Sequence, residues 1–374
     1  MLAVPGDLAA PTGGYEYARR LLGAARATGA ALDYLPLPDL GPRPAAATVA
    51  EALARLAAVP ADRALLVDGL AYGTLPPADL AALNAPVAAL VHHPLALEAG
   101  LDPADAAWLA EAETAALAVA RQVVTTSRTT ADTLVARYAV PRARIAVAHP
   151  GTDRPPTDRP PIDQSSADRP STGLRPADRT RTDHAVALPR ARRDGPVRLL
   201  AVGSLVPRKG FDVLLAALAR VPGDWRLTIL GSATRDPAHA GALRTRAETL
   251  GGRVAFLGAA ERSAVDAAYA EHDVFVLASR YEGYGMAYTE ALAAGLPTVG
   301  CASGAVAEAT RGGAILVQPD DPAALATALA PLVVDPAARA TAAERARVAA
   351  RALPTWDDTL AAVMAALAPL AARA

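Results

Sequence analysis

Short apolar runs alternate with helical patterns along nearly the whole chain, and that alternation constrains the fold more than any single residue does. The first series of runs reads Leu2–Val4, Leu32–Leu35, Ala64–Asp68, Val87–Val91, Val123–Thr125 and Ile145–Ala148. Helical patterns over Tyr15–Thr28, Val49–Ala58, Asp79–Leu83, Ala104–Ala120 and Thr129–Tyr138 separate them. A second series starts at Val197–Val202, passes through a helix over Asp212–Arg220, and continues at Arg226–Leu230, Val254–Leu257, Val274–Leu277 and Thr298–Gly300. From Pro322 on, the chain reads as helical and alanine-rich. Unbroken apolar runs suit strands covered on both faces. Strands alternating with helices predict an α/β protein with doubly wound parallel sheets. In such sheets ligands bind at the carboxyl ends of the strands. With 374 residues and 52% hydrophobic content, two domains with separate cores are expected.

The stretch Ser279–Pro297 concentrates the chemistry. It follows the apolar run Val274–Leu277 and passes through Glu282-Gly283-Tyr284-Gly285 into a helical pattern that stops at Gly295, with Pro297 just beyond. The free N–H groups near Gly285, Met286 and Ala287 then point out of a helix start, where an anion such as a phosphate is favoured. Gly283 and Gly285 allow backbone to approach a ligand closely. Glu282 on the loop and Glu290 inside the helix are acceptor-only carboxylates flanking that site. Such a pair suits hydroxyls on both sides of a diphosphate.

In this setting, SRYEGYGMAYTEALAAGLPTV, two glutamates with seven residues between them resemble the EX7E signature of retaining glycosyltransferases of family 4, which have the GT-B fold. The resemblance implies two Rossmann-like doubly wound parallel-sheet domains facing a cleft. It implies that Glu282 holds the hydroxyls of the transferred sugar and Glu290 the ribose of the nucleotide. Other segments resemble the same family in the same order. Gly13 and Gly14, after the first strand, correspond to a glycine pair under the donor diphosphate. ALVHHPLALEAGL places His92 and His93 at the end of a strand, where the family has a histidine near the anomeric carbon. His92 is the first choice because it follows the strand most closely, and His93 is the rival. Glu98 and Tyr72 are further candidates for lining the cleft, and Asp68 ends a strand on the same edge. His149-Pro150-Gly151-Thr152-Asp153 resembles the exit element of the first domain, and Leu353–Thr359 the closing element whose helix returns to it.

Gly203-Ser204-Leu205-Val206-Pro207-Arg208-Lys209-Gly210 resembles the family's G-x-L-x-x-x-K-G element, whose lysine contacts the phosphates. Two cations at a helix start oppose that helix's own dipole, which makes sense when an anion sits between them. There are three departures. Ser204 stands where many members carry arginine, Ala305 replaces a glycine in the segment Ser303–Glu308, and residues 154–195 exceed the family's usual hinge. The expected layout is an acceptor domain over 1–150, a low-complexity linker over 151–195, a nucleotide-sugar domain over 196–356, and a final helix, 357–374, returning to the first domain. The linker repeats Asp-Arg-Pro without apolar period and reads as solvated.

The expected function is retaining transfer of a hexosyl group from a nucleoside-diphosphate sugar, of GDP-mannose or UDP-hexose type, to an acceptor hydroxyl. The acceptor is a glycan, a lipid or a small metabolite. The same fold leaves open an epimerase, a phosphorylase or a non-catalytic nucleotide-sugar-binding partner. Neither GxGxxG nor a P-loop is present, so the pattern supports no NAD site. No HExxH or His/Cys cluster points to a metal, so no cofactor is expected beyond the donor substrate. Net charge is −1, and the linker has no aromatic side chains to stack on bases, which argues against nucleic acid. The single cysteine, Cys301, reads as a small buried hydrophobe. Without an 18-residue uncharged apolar stretch or a signal-like start, a cytoplasmic protein with at most peripheral membrane contact is expected.

Overall fold

The computed structural model describes residues 1–98, 100–153 and 195–371. Two parallel six-stranded sheets organise them. The first holds β1 (Leu2–Pro5), β2 (Tyr34–Leu37), β3 (Leu65–Asp68), β4 (Val87–Val91), β5 (Gln122–Thr125) and β6 (Ile145–Val147), in the order β2-β1-β3-β4-β5-β6. Between them run α1 (Gly13–Thr28), α2 (Ala46–Ala57), α3 (Gly69–Tyr72), α4 (Pro77–Ala81), α5 (Pro103–Val119) and α6 (Arg128–Tyr138). The second sheet holds β7 (Val197–Val202), β8 (Trp225–Leu230), β9 (Val254–Gly258), β10 (Val274–Leu277), β11 (Thr298–Cys301) and β12 (Ala314–Val317), in the order β12-β11-β10-β7-β8-β9. Its helices are α7 (Phe211–Leu218), α8 (Pro237–Glu248), α9 (Arg262–Glu271), α10 (Met286–Ala293), α11 (Val306–Thr310), α12 (Pro322–Val334) and α13 (Pro336–Ala350); α14 (Trp356–Ala371) closes the chain. The fold is therefore the α/β doubly wound arrangement that the alternation predicts.

The apolar runs are continuous because both faces of each sheet are covered. Successive side chains of a strand point to opposite faces. On the first sheet Ala3, Leu65, Val67, Ala89 and Val123 enter one core. Their neighbours Leu2, Val4, Leu66, Ala88, Leu90 and Val124 enter a second core with Tyr17, Leu21 and Leu22 of α1. That second core also contains Leu360, Val363, Leu367 and Leu370 of α14. The last helix thus packs beside α1 on the first sheet, although the sequence brings it in after the second. Gly151 marks the crossing: a Cβ there would lie 2.4 Å from the Trp356 nitrogen. The linker expectation over 151–195 falls largely on residues 154–194, which lie outside the described residues.

Several expectations shift in detail. Strand two starts at Tyr34 rather than Leu32, because Ala30–Asp33 turn after the left-handed Gly29. The helices α3, α8, α9 and α11 and the strand β12 occupy segments for which the sequence pattern predicts no element. Tyr72 does not line a cleft. It is 1% exposed and packs in the first core with Leu75 and Leu80, since it sits in α3, which folds back under β4. Cys301 is a buried strand residue. No single helix among the described residues is long and apolar enough to cross a membrane.

Candidate functional site

The loop after β10 reaches α10 through Gly285, whose φ of 103° is readily open only to glycine. No side chain caps α10. The N–H groups of its first turn are those that any helix leaves without an intrahelical partner, so Met286 and Ala287 present donors at the carboxyl edge of β10.

Glu282 precedes this turn and is 6% exposed. Its Oε1 accepts from Lys209 Nζ at 2.6 Å and from Ser279 Oγ at 2.6 Å, and its Oε2 from Arg208 at 3.4 Å. Burial pushes this carboxyl up, but the cations Lys209 and Arg208 outweigh it and hold Glu282 below the usual range, ionised. Lys209 is pulled down by burial and pushed back by Glu282. Arg208 also donates to Glu98 at 3.2 Å and to the Tyr281 carbonyl at 2.9 Å. These two cations do not lie in α7 itself. A 3₁₀ turn over Pro207–Lys209 and the left-handed Gly210 intervene, and there is no room beside Gly210, where a Cβ would meet the Ala278 carbonyl at 1.9 Å. Lys209 is the only lysine in the chain, against thirty-six arginines.

Glu290, one turn into α10, accepts from Arg262 at 2.5 Å. Burial raises its pKa against the pull of Arg262. Arg262, at the start of α9, belongs to no motif, and its pairing with Glu290 is visible only in the structure. The sequence signals Glu290 but not its partner.

The first sheet supplies the facing wall. His92 directly follows β4, and its Nε2 lies 3.2 Å from Oδ2 of Asp68, the last residue of β3. Asp68 Oδ1 accepts the Leu70 N–H at 2.9 Å. The Tyr17 ring meets the His92 imidazole edge-on at 5.1 Å. His92 is thereby oriented from two sides. His93 has other partners: its Nε2 is 3.0 Å from Glu98, and its ring lies 5.9 Å from Tyr281. Burial works against ionisation of Glu98, but His93 and Arg208 hold its carboxyl down at about 2. Gly13 and Gly14 form the first turn of α1, capped by Thr12. A Cβ on Gly14 would touch the His92 ring at 3.5 Å, whereas Gly13 faces open space. Burial and the negative charges of Asp68, Asp39 and Asp7 push the hydroxyl of Tyr15, in the same turn, above its ordinary range, against the pull of Arg235 from the loop after β8.

The two walls meet. A Cβ on Gly283 would lie 2.3 Å from the His92 carbonyl oxygen. His92, Gly14 and Asp68 thus belong to the first sheet's side of this contact, and Glu282, Lys209, Arg208 and the start of α10 to the second sheet's side. Residues 10–154 match the model of Glycosyltransferase Family 4, and residues 196–335 that of Glycosyl transferases group 1. The chain belongs to the GT-B glycosyltransferases. Among curated GT-B relatives, the D-inositol 3-phosphate glycosyltransferase of Xylanimonas cellulosilytica is 32% identical over 254 residues, 66% of this chain and 57% of that protein. A glycogen synthase of Mycobacterium tuberculosis is 36% identical over 172 residues, 44% of this chain and 40% of that one. The chain spans about half the length of the curated relatives it matches. Two solved GT-B structures share the fold over nearly the whole chain. Anabaena HepE in complex with UDP and glucose superposes with a TM-score of 0.71 at 15% identity, covering 98% of this chain and 99% of that one. The sucrose-phosphate synthase of Thermosynechococcus elongatus gives 0.72 at 20% identity, covering 100% and 99%.

Proposed function

We propose that this GT-B protein is a retaining glycosyltransferase that moves a hexosyl group from a nucleoside-diphosphate sugar to an acceptor hydroxyl. The observation that carries this reading is the Lys209–Glu282–Arg208 cluster at the start of α10, facing His92 across the contact at Gly283. In this reading the diphosphate lies between Arg208, Lys209 and the N–H groups of Met286 and Ala287. Negative charge develops on it as the glycosidic bond breaks, and fixed donors in a dry site stabilise that charge at the moment it appears. Glu290 takes the ribose hydroxyls and Glu282 the hydroxyls of the sugar. His92, oriented by Asp68 and Tyr17, donates to the sugar beside the reacting carbon. The acceptor hydroxyl approaches from the first sheet, on the same face of the sugar as the leaving group. On that wall, beside Gly6, the Tyr15 hydroxyl and Asp39 lie close together, a donor and an acceptor suited to a hydroxyl-rich molecule. Catalysis in this account requires no metal, so transfer is expected to persist in EDTA.

The names of the relatives agree with a sugar transfer without fixing donor or acceptor here. A thermal-shift panel of UDP-, GDP-, ADP- and dTDP-sugars tests the reading. Saturation at about a hundred times Kd adds about 2.7 kcal/mol, which moves the melting point by several degrees. The shift is expected with one base and lost in Lys209→Ala. A panel without any shift overturns the donor site. Product analysis by NMR then separates transfer with retained configuration from epimerisation or phosphorolysis.

A further inference from the structure

Glu308 lies outside the cluster described above, yet its carboxylate is fully engaged with the other half of the molecule. It sits on the short helix α11 of the second half. Its Oε1 accepts the Arg128 N–H at 2.8 Å and lies 2.7 Å from His149 Nε2. Its Oε2 accepts the Thr129 N–H and the Thr129 hydroxyl, both at 3.0 Å. Burial opposes ionisation, but His149 and the backbone of Arg128 and Thr129 hold the carboxyl down at about 2. Charge-assisted bonds of this kind are about twice as strong as neutral ones. The helix it caps, α6, already has a cap of its own: Ser127 Oγ accepts the Thr130 N–H at 2.9 Å. Arg128 and Thr129 are the next free amides of that helix start, and they are filled by a residue 180 positions away.

What α6 holds explains why the tie matters. Thr130, in its first turn, accepts from Ser127 Oγ at 2.9 Å. Its own hydroxyl is within donating reach of two carbonyls, those of His92 and Gly283, each 3.4 Å from its oxygen. Thr126 reinforces the first with a bond to the His92 carbonyl at 3.1 Å. At the other end, α11 is fastened to the Glu282 loop. The Ala305 N–H donates to the Glu282 carbonyl at 2.9 Å, and Ser303 Oγ donates to the Ser279 carbonyl at 2.7 Å. The hydrogen bonds form a closed circuit: Glu282 to Ala305, along α11 to Glu308, across to α6, and through Thr130 to His92 and Gly283.

We propose that Glu308 is a positioning residue, which clamps the start of α6 across the cleft so that Thr130 keeps the backbones of His92 and Gly283 in register. The proposal rests on the transferase reading, in which His92 and Glu282 face the same sugar. Glu308 touches neither Arg208 nor Lys209, so donor binding is expected to outlast loss of the clamp while turnover falls.

The test uses the full chain with Glu308→Ala, Glu308→Gln and Thr130→Val. Hydrogen–deuterium exchange of the ligand-free proteins is measured first. In Glu308→Ala, exchange is expected to rise at least threefold both in 92–98 and in 281–285. Glu308→Gln, which keeps an acceptor oxygen, is expected to fall between wild type and Glu308→Ala. Thr130→Val is expected to loosen the same two segments while Arg128 and Thr129 stay protected. A rise confined to 126–131 in Glu308→Ala makes Glu308 a helix cap only and overturns the proposal. In the kinetic arm, calorimetric titration with UDP and GDP is expected to give affinities within threefold of wild type, with kcat down at least tenfold. Nucleotide affinity lost in proportion to kcat also overturns it. If the wild-type protein, titrated also with ADP and dTDP, binds none of the four nucleotides, the transferase reading fails, while the exchange data still decide whether the circuit exists.

Discussion

In the transferase reading, Glu282 is the side chain asked to do the most. It is buried, ionised and shared between two cations. Deleting a buried charge outright costs about 3–5 kcal/mol by stranding its partners, so the informative change is Glu282→Gln, which keeps shape and one acceptor. Initial rates of donor consumption are expected to fall by about 10²–10³, the scale seen when one fixed group is lost from a charged transition state. A rate within threefold of wild type sinks the assignment. Lys209→Arg is a second residue-scale test. The pocket holds a compact ammonium where the rest of the chain uses arginine, and a planar guanidinium does not replace a point charge, so turnover is expected to drop at least tenfold while the protein still melts cooperatively.

Glu113 gives a stability prediction of definite sign. This α5 residue is 1% exposed, and its Oε2 accepts the Leu95 N–H at 2.9 Å. Burial pushes its carboxyl up to about 8, the Leu95 amide pulling only weakly the other way. In the unfolded chain it ionises near its ordinary value of 4.5. Between about 4.5 and 8 the native state binds the extra proton, so its contribution to stability is full at low pH and is lost as pH rises through that window. Glu113→Gln removes the titration. It is expected to raise stability at pH 8 relative to wild type by more than it does at pH 5, by an amount on the order of 2 kcal/mol or more. Urea denaturation at the two pH values measures this, and an equal change at both refutes it.

At the scale of elements, the site depends on loops that touch through glycine. Gly283 leaves no space for a side chain beside the His92 carbonyl, and Gly304, at φ 53°, leaves none beside the Glu282 carbonyl, 2.1 Å from a would-be Cβ. Both neighbours are backbone and cannot swing aside. Gly283→Ala is expected to abolish turnover by pushing the β4 loop from the β10 loop. Gly304→Ala is expected to cost stability as well, by about 1–3 kcal/mol for the strained backbone. Full activity in Gly283→Ala, measured by donor consumption, would show that the two loops need not touch.

At the scale of the whole molecule, α14 ties the end of the chain to the first sheet. Leu360, Val363, Leu367 and Leu370 are buried there, each contributing about 1.5–3 kcal/mol. A chain ending before Trp356 uncovers the face shared with α1. It is expected to lose its cooperative melting transition or to aggregate, and light scattering during a thermal scan checks this. An unchanged melting point would mean that α14 is dispensable.

Much was legible in the sequence. Both sheets show themselves through their central strands, which are apolar on both faces, a pattern that depends on local order alone, whereas the edge strand β12 is only partly buried and does not show. Glu282, Glu290, Arg208, Lys209 and the glycines at 283 and 285 stand out because a strand–loop–helix unit places its chemistry within a few residues. The helices α3, α8, α9 and α11 and the strand β12 stayed hidden, since none of their segments stands out by apolar pattern from the loops around it. Contacts between distant segments stayed hidden too: Arg262 on Glu290, Asp68 on His92, and Glu308 on α6. Tyr72 shows the limit from the other side, because nothing in its neighbours tells whether a tyrosine after a strand faces cleft or core. Periodicity and spacing report what residues a few positions apart do together. Which side chains meet across residues 68 and 92, or 128 and 308, is set by strand order and by the closing of one sheet unit on the other, and that only the tertiary structure decided.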